Sequence, residues 1–249
     1  MQVIGNGFLA HHLRSGAASH PGVTVLAAGV SSAQNTGSSA FRREEELVRS
    51  TIQQCLERRH RLVFLSTASA GMYGAPGCRG REDDPVLPVS AFGRHKLELE
   101  SVIRDSGVRA LILRLGHVVG PGQRDYQLVP ALARQLRAGR VVVHRHARRD
   151  LIDVGDTVVI IESLLEAGVE HEVVNVGSGE SVPVDLVVSY LETRLGVTAE
   201  REYVDETGSA QPLSLEKLLR LVPRVKGMNF GPDYYRTVID RYVDATTGT

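Results

Sequence analysis

Val3-Ile4-Gly5-Asn6-Gly7-Phe8-Leu9-Ala10 runs from a short apolar strand through a Gly-x-Gly turn into a helix, with Ala10 at the third small position. A helix entered this way aims its first, unpaired backbone N–H groups at the turn, a setting that suits an anion. A Gly-Asn-Gly run also serves as an ordinary turn, so the stretch takes its meaning from the segments downstream of it. Strand-like stretches at 2–4, 23–28, 61–66, 110–114 and 172–176 alternate with helical patterns at 8–15, 41–58, 92–106, 126–138 and 155–167. The alternation predicts an α/β fold, a parallel sheet joined by right-handed crossovers. The helix at 41–58 places Glu44, Glu45 and Glu46 in its early turns and Arg58 and Arg59 at its end, which matches the macrodipole.

Composition agrees with one compact unit. The chain has 249 residues, 42% hydrophobic and 23% charged, enough to bury a sizeable core. Twenty-nine basic residues balance 29 acidic ones, so no global field recruits nucleic acid or an anionic membrane. Cys55 and Cys78 show no metal-ligand spacing, and no metal is expected. The strand begins almost at the first residue, leaving no room for a signal peptide, and no apolar run reaches membrane-spanning length. A soluble, cytoplasmic protein is the expectation. Ser31 to Ala40, rich in Ser, Gly and Asn, reads as a mobile loop.

Further segments occur in a telling order. Arg61-Leu62-Val63-Phe64-Leu65 ends in the hydroxyl-rich Ser66-Thr67-Ala68-Ser69-Ala70-Gly71-Met72-Tyr73-Gly74. Ser90-Ala91-Phe92-Gly93-Arg94-His95-Lys96-Leu97-Glu98 is helical, and Phe92 and Lys96, four apart, share a face. Leu111-Ile112-Leu113-Arg114-Leu115-Gly116-His117, then Arg149-Asp150-Leu151-Ile152-Asp153-Val154-Gly155-Asp156, then Val173-Val174-Asn175-Val176-Gly177-Ser178-Gly179 complete the series. Together these resemble, over nearly the whole chain, the extended short-chain dehydrogenase/reductase family, the NAD-dependent epimerases and dehydratases of nucleotide sugars. The resemblance implies a Rossmann-like doubly wound sheet over residues 1–120 with 148–179. It also implies a small α+β substrate-binding cap from 121–147 with 180–249.

The chain departs from the family at two places. Val23-Thr24-Val25-Leu26-Ala27-Ala28 already looks like the family's later, cofactor-abutting strand, and no Asp or Glu occurs before Glu44. About one βαβ unit, roughly 30 residues or more, is therefore missing from the adenine side, together with the carboxylate that holds the adenosine ribose. Dinucleotide binding by other groups, NADPH preference through Arg14 or another cation, and loss of the dinucleotide all remain open. The second departure is Phe92, which stands where the family has its catalytic tyrosine and has no proton to transfer.

The resemblance also implies roles for individual residues. Gly5, Gly7, Phe8, Leu9 and Ala10, with Ala27, Ala28 and Lys96, would line NAD or NADP, Lys96 holding the nicotinamide ribose. Thr67 or Ser69, depending on which end of the loop is counted from, would hydrogen-bond a substrate oxygen. His117, where the family places a substrate-facing asparagine, is a candidate replacement acid/base because imidazole titrates in the useful range. Tyr73 is the second candidate, against a packing role. His95 lies beside Lys96 but points to a different helix face. Arg149 matches the arginine that grips a nucleotide-sugar pyrophosphate, which suits a planar, always-charged fork.

Two function classes result. One is an atypical NAD(P)-dependent enzyme of epimerase, dehydratase or ketoreductase type acting on a nucleotide-activated sugar or related small molecule. The other is a non-redox relative that catalyses a cofactor-independent step or binds a sugar nucleotide. A homodimer built from the helices at 41–58 and 92–106 is expected by resemblance.

Overall fold

The computed structural model describes residues 1–30, 38–69, 71–75, 77–205 and 212–247. In chain order the elements are β1 (Gln2–Ile4), α1 (Phe8–Leu13), β2 (Val23–Leu26), α2 (Ser38–Arg58), β3 (Arg61–Thr67), α3 (Ala91–Asp105) and β4 (Ala110–Leu115). Then come β5 (His117–Val119), α4 (Leu128–Arg137), β6 (Arg140–Arg145), β7 (Arg148–Asp153), α5 (Val154–Glu166) and β8 (Glu172–Val176). β9 (Ser181–Pro183), α6 (Val184–Leu195), β10 (Glu200–Asp205), α7 (Glu216–Leu221) and α8 (Tyr234–Thr247) finish the chain. Of the expected Ser31 to Ala40 loop, residues 31–37 lie outside the described residues, and Ser38 already opens α2.

The main sheet has five parallel strands in the order β1-β2-β3-β4-β8. β1 pairs directly with β2, Val3 opposite Val25, so β1 is an edge strand. Strand alternation sorts the apolar side chains into two layers. Val25, Val63, Leu65, Leu111 and Leu113 join Leu13 of α1 and Ile160, Ile161 and Leu164 of α5. Leu26, Leu62, Phe64 and Ile112 meet Val48 and Ile52 of α2 and Leu99 and Ile103 of α3 on the other face. The first layer continues without a break into the C-terminal half, through Leu132, Val141, Val143, Val187, Leu191, Val238 and Ile239. There β6 and β10 form a parallel pair, and β5-β7-β9 form a small sheet.

The uniform right-handed winding expected from the alternation does not form. Every step from β1 to β8 moves in one direction across the sheet, yet α1 and α5 cover one face and α2 and α3 the other. Equal steps through opposite faces have opposite hands. With α2 and α3 in the nearly universal right-handed sense, the crossovers through α1, from β1 to β2, and through α5, from β4 to β8, are both left-handed. α1 keeps to its face because Leu13 packs in the α5 layer.

One polar network ties the layers together. Arg114 on β4 is 2% exposed and meets the fully buried Glu100 of α3 through Nη2–Oε2 at 2.8 Å and Nε–Oε1 at 3.1 Å. Ser66 donates to Glu100 at 2.6 Å, and Arg114 Nη1 donates to the Tyr73 hydroxyl at 3.0 Å. Tyr73 in turn donates to Asn175 Oδ1 on β8 at 2.6 Å. Burial works against the Arg114 charge, but the Glu100 hydrogen bonds and carboxylate outweigh it and raise its pKa. Breaking one partner leaves the other charged and dry, so Arg114→Ala or Glu100→Ala should each cost about 3–5 kcal/mol in urea unfolding. Arg114→Met/Glu100→Leu together should cost much less than the two single losses added. Additive losses would contradict a mutually dependent pair.

Candidate functional site

The glycine turn sits at the carboxyl end of β1. Gly5 has φ +127°, and a Cβ there would lie 2.5 Å from the Ala27 carbonyl oxygen, so backbone geometry and the neighbouring strand both demand glycine. Gly7 differs. Its φ is −84°, open to any residue, and a Cβ there would meet nothing within 4 Å. The fold therefore gives no reason for glycine at this position, at the N-cap of α1. Ala10 and Leu13 are fully buried beneath the turn, and Phe8 lies beside His12 and the Gly120 backbone. Leu9 packs at the margin of the first core layer. Ala27, half-buried, donates its amide to the Ile4 carbonyl at 2.9 Å, joining the end of β2 to the turn, and Ala28 comes directly after it. Arg14 donates to the Gly5 carbonyl and to Asn6 Oδ1, so it clasps the turn.

Lys96 is not an open cation. Its Nζ lies 2.6 Å from Glu44 Oε1, between the rings of Phe64 and Phe92 at 5.1 and 5.7 Å, and the residue is 5% exposed. Glu44 Oε2 meets His95 Nε2 at 3.0 Å and accepts the Val30 amide at 3.1 Å. A Cβ on Gly29 would collide with the same carboxylate. Burial acts to raise the Glu44 pKa, but the His95 hydrogen bond, the Lys96 charge and the Val30 amide together hold it below the ordinary value. Glu44 thus lies in the second turn of α2, 2% exposed, and is not the solvated helix-end charge that its sequence position suggests. His95, which helix spacing turns away from Lys96, nevertheless shares its partner. α2 packs against α3 so that both His95 and Lys96 reach one carboxylate, with Phe41 stacked on His95 at 4.3 Å. Phe92 is 6% exposed and occupies the helix face predicted for it.

Thr67 ends β3, and its Oγ1 lies 2.7 Å from Ser69 Oγ while accepting the Ser69 amide at 3.0 Å. The two alternatives are thus one hydroxyl pair. Tyr73 stands apart from them in role: it is 4% exposed, its oxygen is committed to Asn175 and Arg114, and burial pushes its pKa up to about 12. That geometry supports the packing role and gives no support to proton transfer or substrate contact.

His117 and Arg149 come together across the β5–β7 pair, where His117 opposes Leu151. Burial and the Arg149 charge push the His117 pKa down to about 3, so the imidazole is neutral at physiological pH and makes a poor acid. Arg149 is half-buried and donates to the Arg148 carbonyl at 2.8 Å. Next to it stands Asp150, which carries no mark of reactivity in the sequence. Its carboxylate accepts from the Ser178 amide at 2.7 Å, the Ser178 hydroxyl at 2.9 Å and the Gly179 amide at 2.8 Å. Burial nevertheless raises its pKa to about 6, against those hydrogen bonds. A raised carboxyl pKa means Asp150 favours the folded state below the ordinary aspartate range and loses that contribution as pH rises through about 6. Between pH 5 and 8, side-chain NMR should show Asp150 changing charge while His117 stays neutral. A His117 midpoint near the ordinary histidine value would contradict the geometry.

The family model described as the NAD dependent epimerase/dehydratase family matches residues 14–177. Over 155 residues the chain is 34% identical to dTDP-6-deoxy-L-talose 4-dehydrogenase (NAD(P)(+)) of Kitasatospora kifunensis, covering 56% of this chain and 48% of that protein. It therefore spans about half the length of this curated relative. Among solved structures, TunA, a NAD dependent-NDP-hexosamine 5,6-dehydratase involved in tunicamycin biosynthesis, superposes with TM-score 0.82 at 20% identity, covering 99% of this chain and 97% of TunA. RMD from Pseudomonas aeruginosa, complexed with NADPH, does so with TM-score 0.75 at 20% identity, covering 98% and 97%. Sequence model and fold agree, and the chain belongs to the NAD dependent epimerase/dehydratase family, of the extended short-chain dehydrogenase/reductase type.

Proposed function

We propose that this chain is an atypical NAD(P)-dependent enzyme of the epimerase, dehydratase or ketoreductase range, acting on a nucleotide-activated sugar or a related small molecule. Gly7 is the observation that carries the reading. A glycine that neither backbone angle nor packing requires, at a helix N-terminus beyond a turn that does require one, fits a phosphate approaching the backbone closely. A dinucleotide thus fits at its pyrophosphate, with Gly5, Gly7 and the Phe8 end of α1 beneath it. When bound, the nicotinamide supplies hydride transfer.

The chain's own residues do the rest. Ala27 and Ala28 line the end of β2 beside the turn, and the Thr67–Ser69 hydroxyl pair offers a hydrogen bond to a substrate oxygen. Arg149 supplies a fixed positive charge for a substrate phosphate, beside the neutral His117. Asp150, both of whose carboxylate oxygens are held by Ser178 and Gly179, pins the loop after β8 beside β7. We also propose a homodimer through the outward faces of α2 and α3, where Leu56 is 45% exposed.

A specific observation keeps the non-redox reading in play: Phe92 fills the tyrosine position while Lys96 is held by Glu44. Gly7→Val should leave the melting temperature near wild type, because its Cβ meets nothing, yet weaken NADH and NADPH binding in calorimetry by about tenfold or more. Undiminished binding would sink the pyrophosphate assignment. Phe92→Tyr, assayed for oxidoreductase turnover, separates the readings. A gain favours a weakened redox enzyme; none, with sugar-nucleotide binding intact, favours the cofactor-independent one.

A further inference from the structure

We propose that Glu44 sets this chain's affinity for its dinucleotide by holding Lys96 away from it. The inference rests on the proposed cofactor binding and adds the residue that governs it. An ammonium offers three donors, and here the shortest contact goes to Glu44 at 2.6 Å while two phenyl rings enclose the lysine. The carboxylate is held from three sides, by Lys96, His95 and the Val30 amide. It rests against Gly29, where no side chain would leave it room, and Gly29 directly follows the Ala27-Ala28 end of β2. Glu44 therefore stands between Lys96 and the strand end expected to abut the cofactor. A ribose hydroxyl must compete with this carboxylate for the ammonium, and its negative charge also disfavours an anionic ligand nearby.

The alternative is that the pair merely pins α2 to α3, Lys96 having lost its purpose along with the tyrosine. Calorimetric titration with NAD, NADH, NADP and NADPH distinguishes the two, run on wild type, Glu44→Gln, His95→Gln and Glu44→Gln/Lys96→Met. The amide keeps the shape of the carboxylate and removes its charge. Glu44→Gln should tighten binding of at least one dinucleotide by about tenfold, and Lys96→Met should cancel the gain. His95→Gln loosens one anchor and should give a smaller gain in the same direction, which carries the test if Glu44→Gln does not fold. Equal, measurable binding in all variants, or weaker binding in Glu44→Gln, overturns the role of Glu44 and leaves the cofactor reading standing. No binding by any of them overturns both.

Discussion

The direct parallel pairing of β1 with β2 is the constraint on which the rest of the molecule depends. In a doubly wound sheet the ligand crevice opens where strand order reverses, and the adenosine half lies over the strands beyond that point. Here the order never reverses among the described residues, and β1, which carries the glycine turn, is itself the edge. The glycine turn thus keeps its support from Ala27, just past the end of β2, while no described strand lies on its other side.

That asymmetry organises the site. On the side of α2 and α3, Phe92 lies against Lys96, Glu44 pairs with Lys96, and Thr67 and Ser69 form a hydroxyl pair. A buried ammonium without a partner is costly, so Lys96 gains from a nearby carboxylate, and α2 supplies one in Glu44. A second buried network, Arg114, Glu100, Tyr73 and Asn175, links α3, β4, the loop after β3 and β8.

Much of the fold is legible in the sequence because it rests on local pattern. The five strands and their helices follow apolar periodicity and glycine punctuation. What escapes such a reading depends on contacts between elements. Nothing in three consecutive glutamates marks Glu44 as the one facing α3, nor does helix spacing reveal that His95 and Lys96 meet the same carboxylate from a neighbouring helix. His117 stands out in the sequence for the ordinary titration of imidazole, which its burial beside Arg149 removes. Asp150 is visible as the residue after Arg149, but its raised pKa comes from enclosure that no sequence neighbour announces.

The reading proposed from Gly7 seats the dinucleotide at its pyrophosphate, with no described strand beyond β1 to read the adenosine ribose. Parallel calorimetric titrations of the wild-type chain with NADH and NADPH test it most directly, because the two differ only in the phosphate on that ribose. Dissociation constants within about threefold of each other are the expected result. A preference of about thirtyfold or more for either would mean that a discriminating group stands beyond β1, and would contradict it.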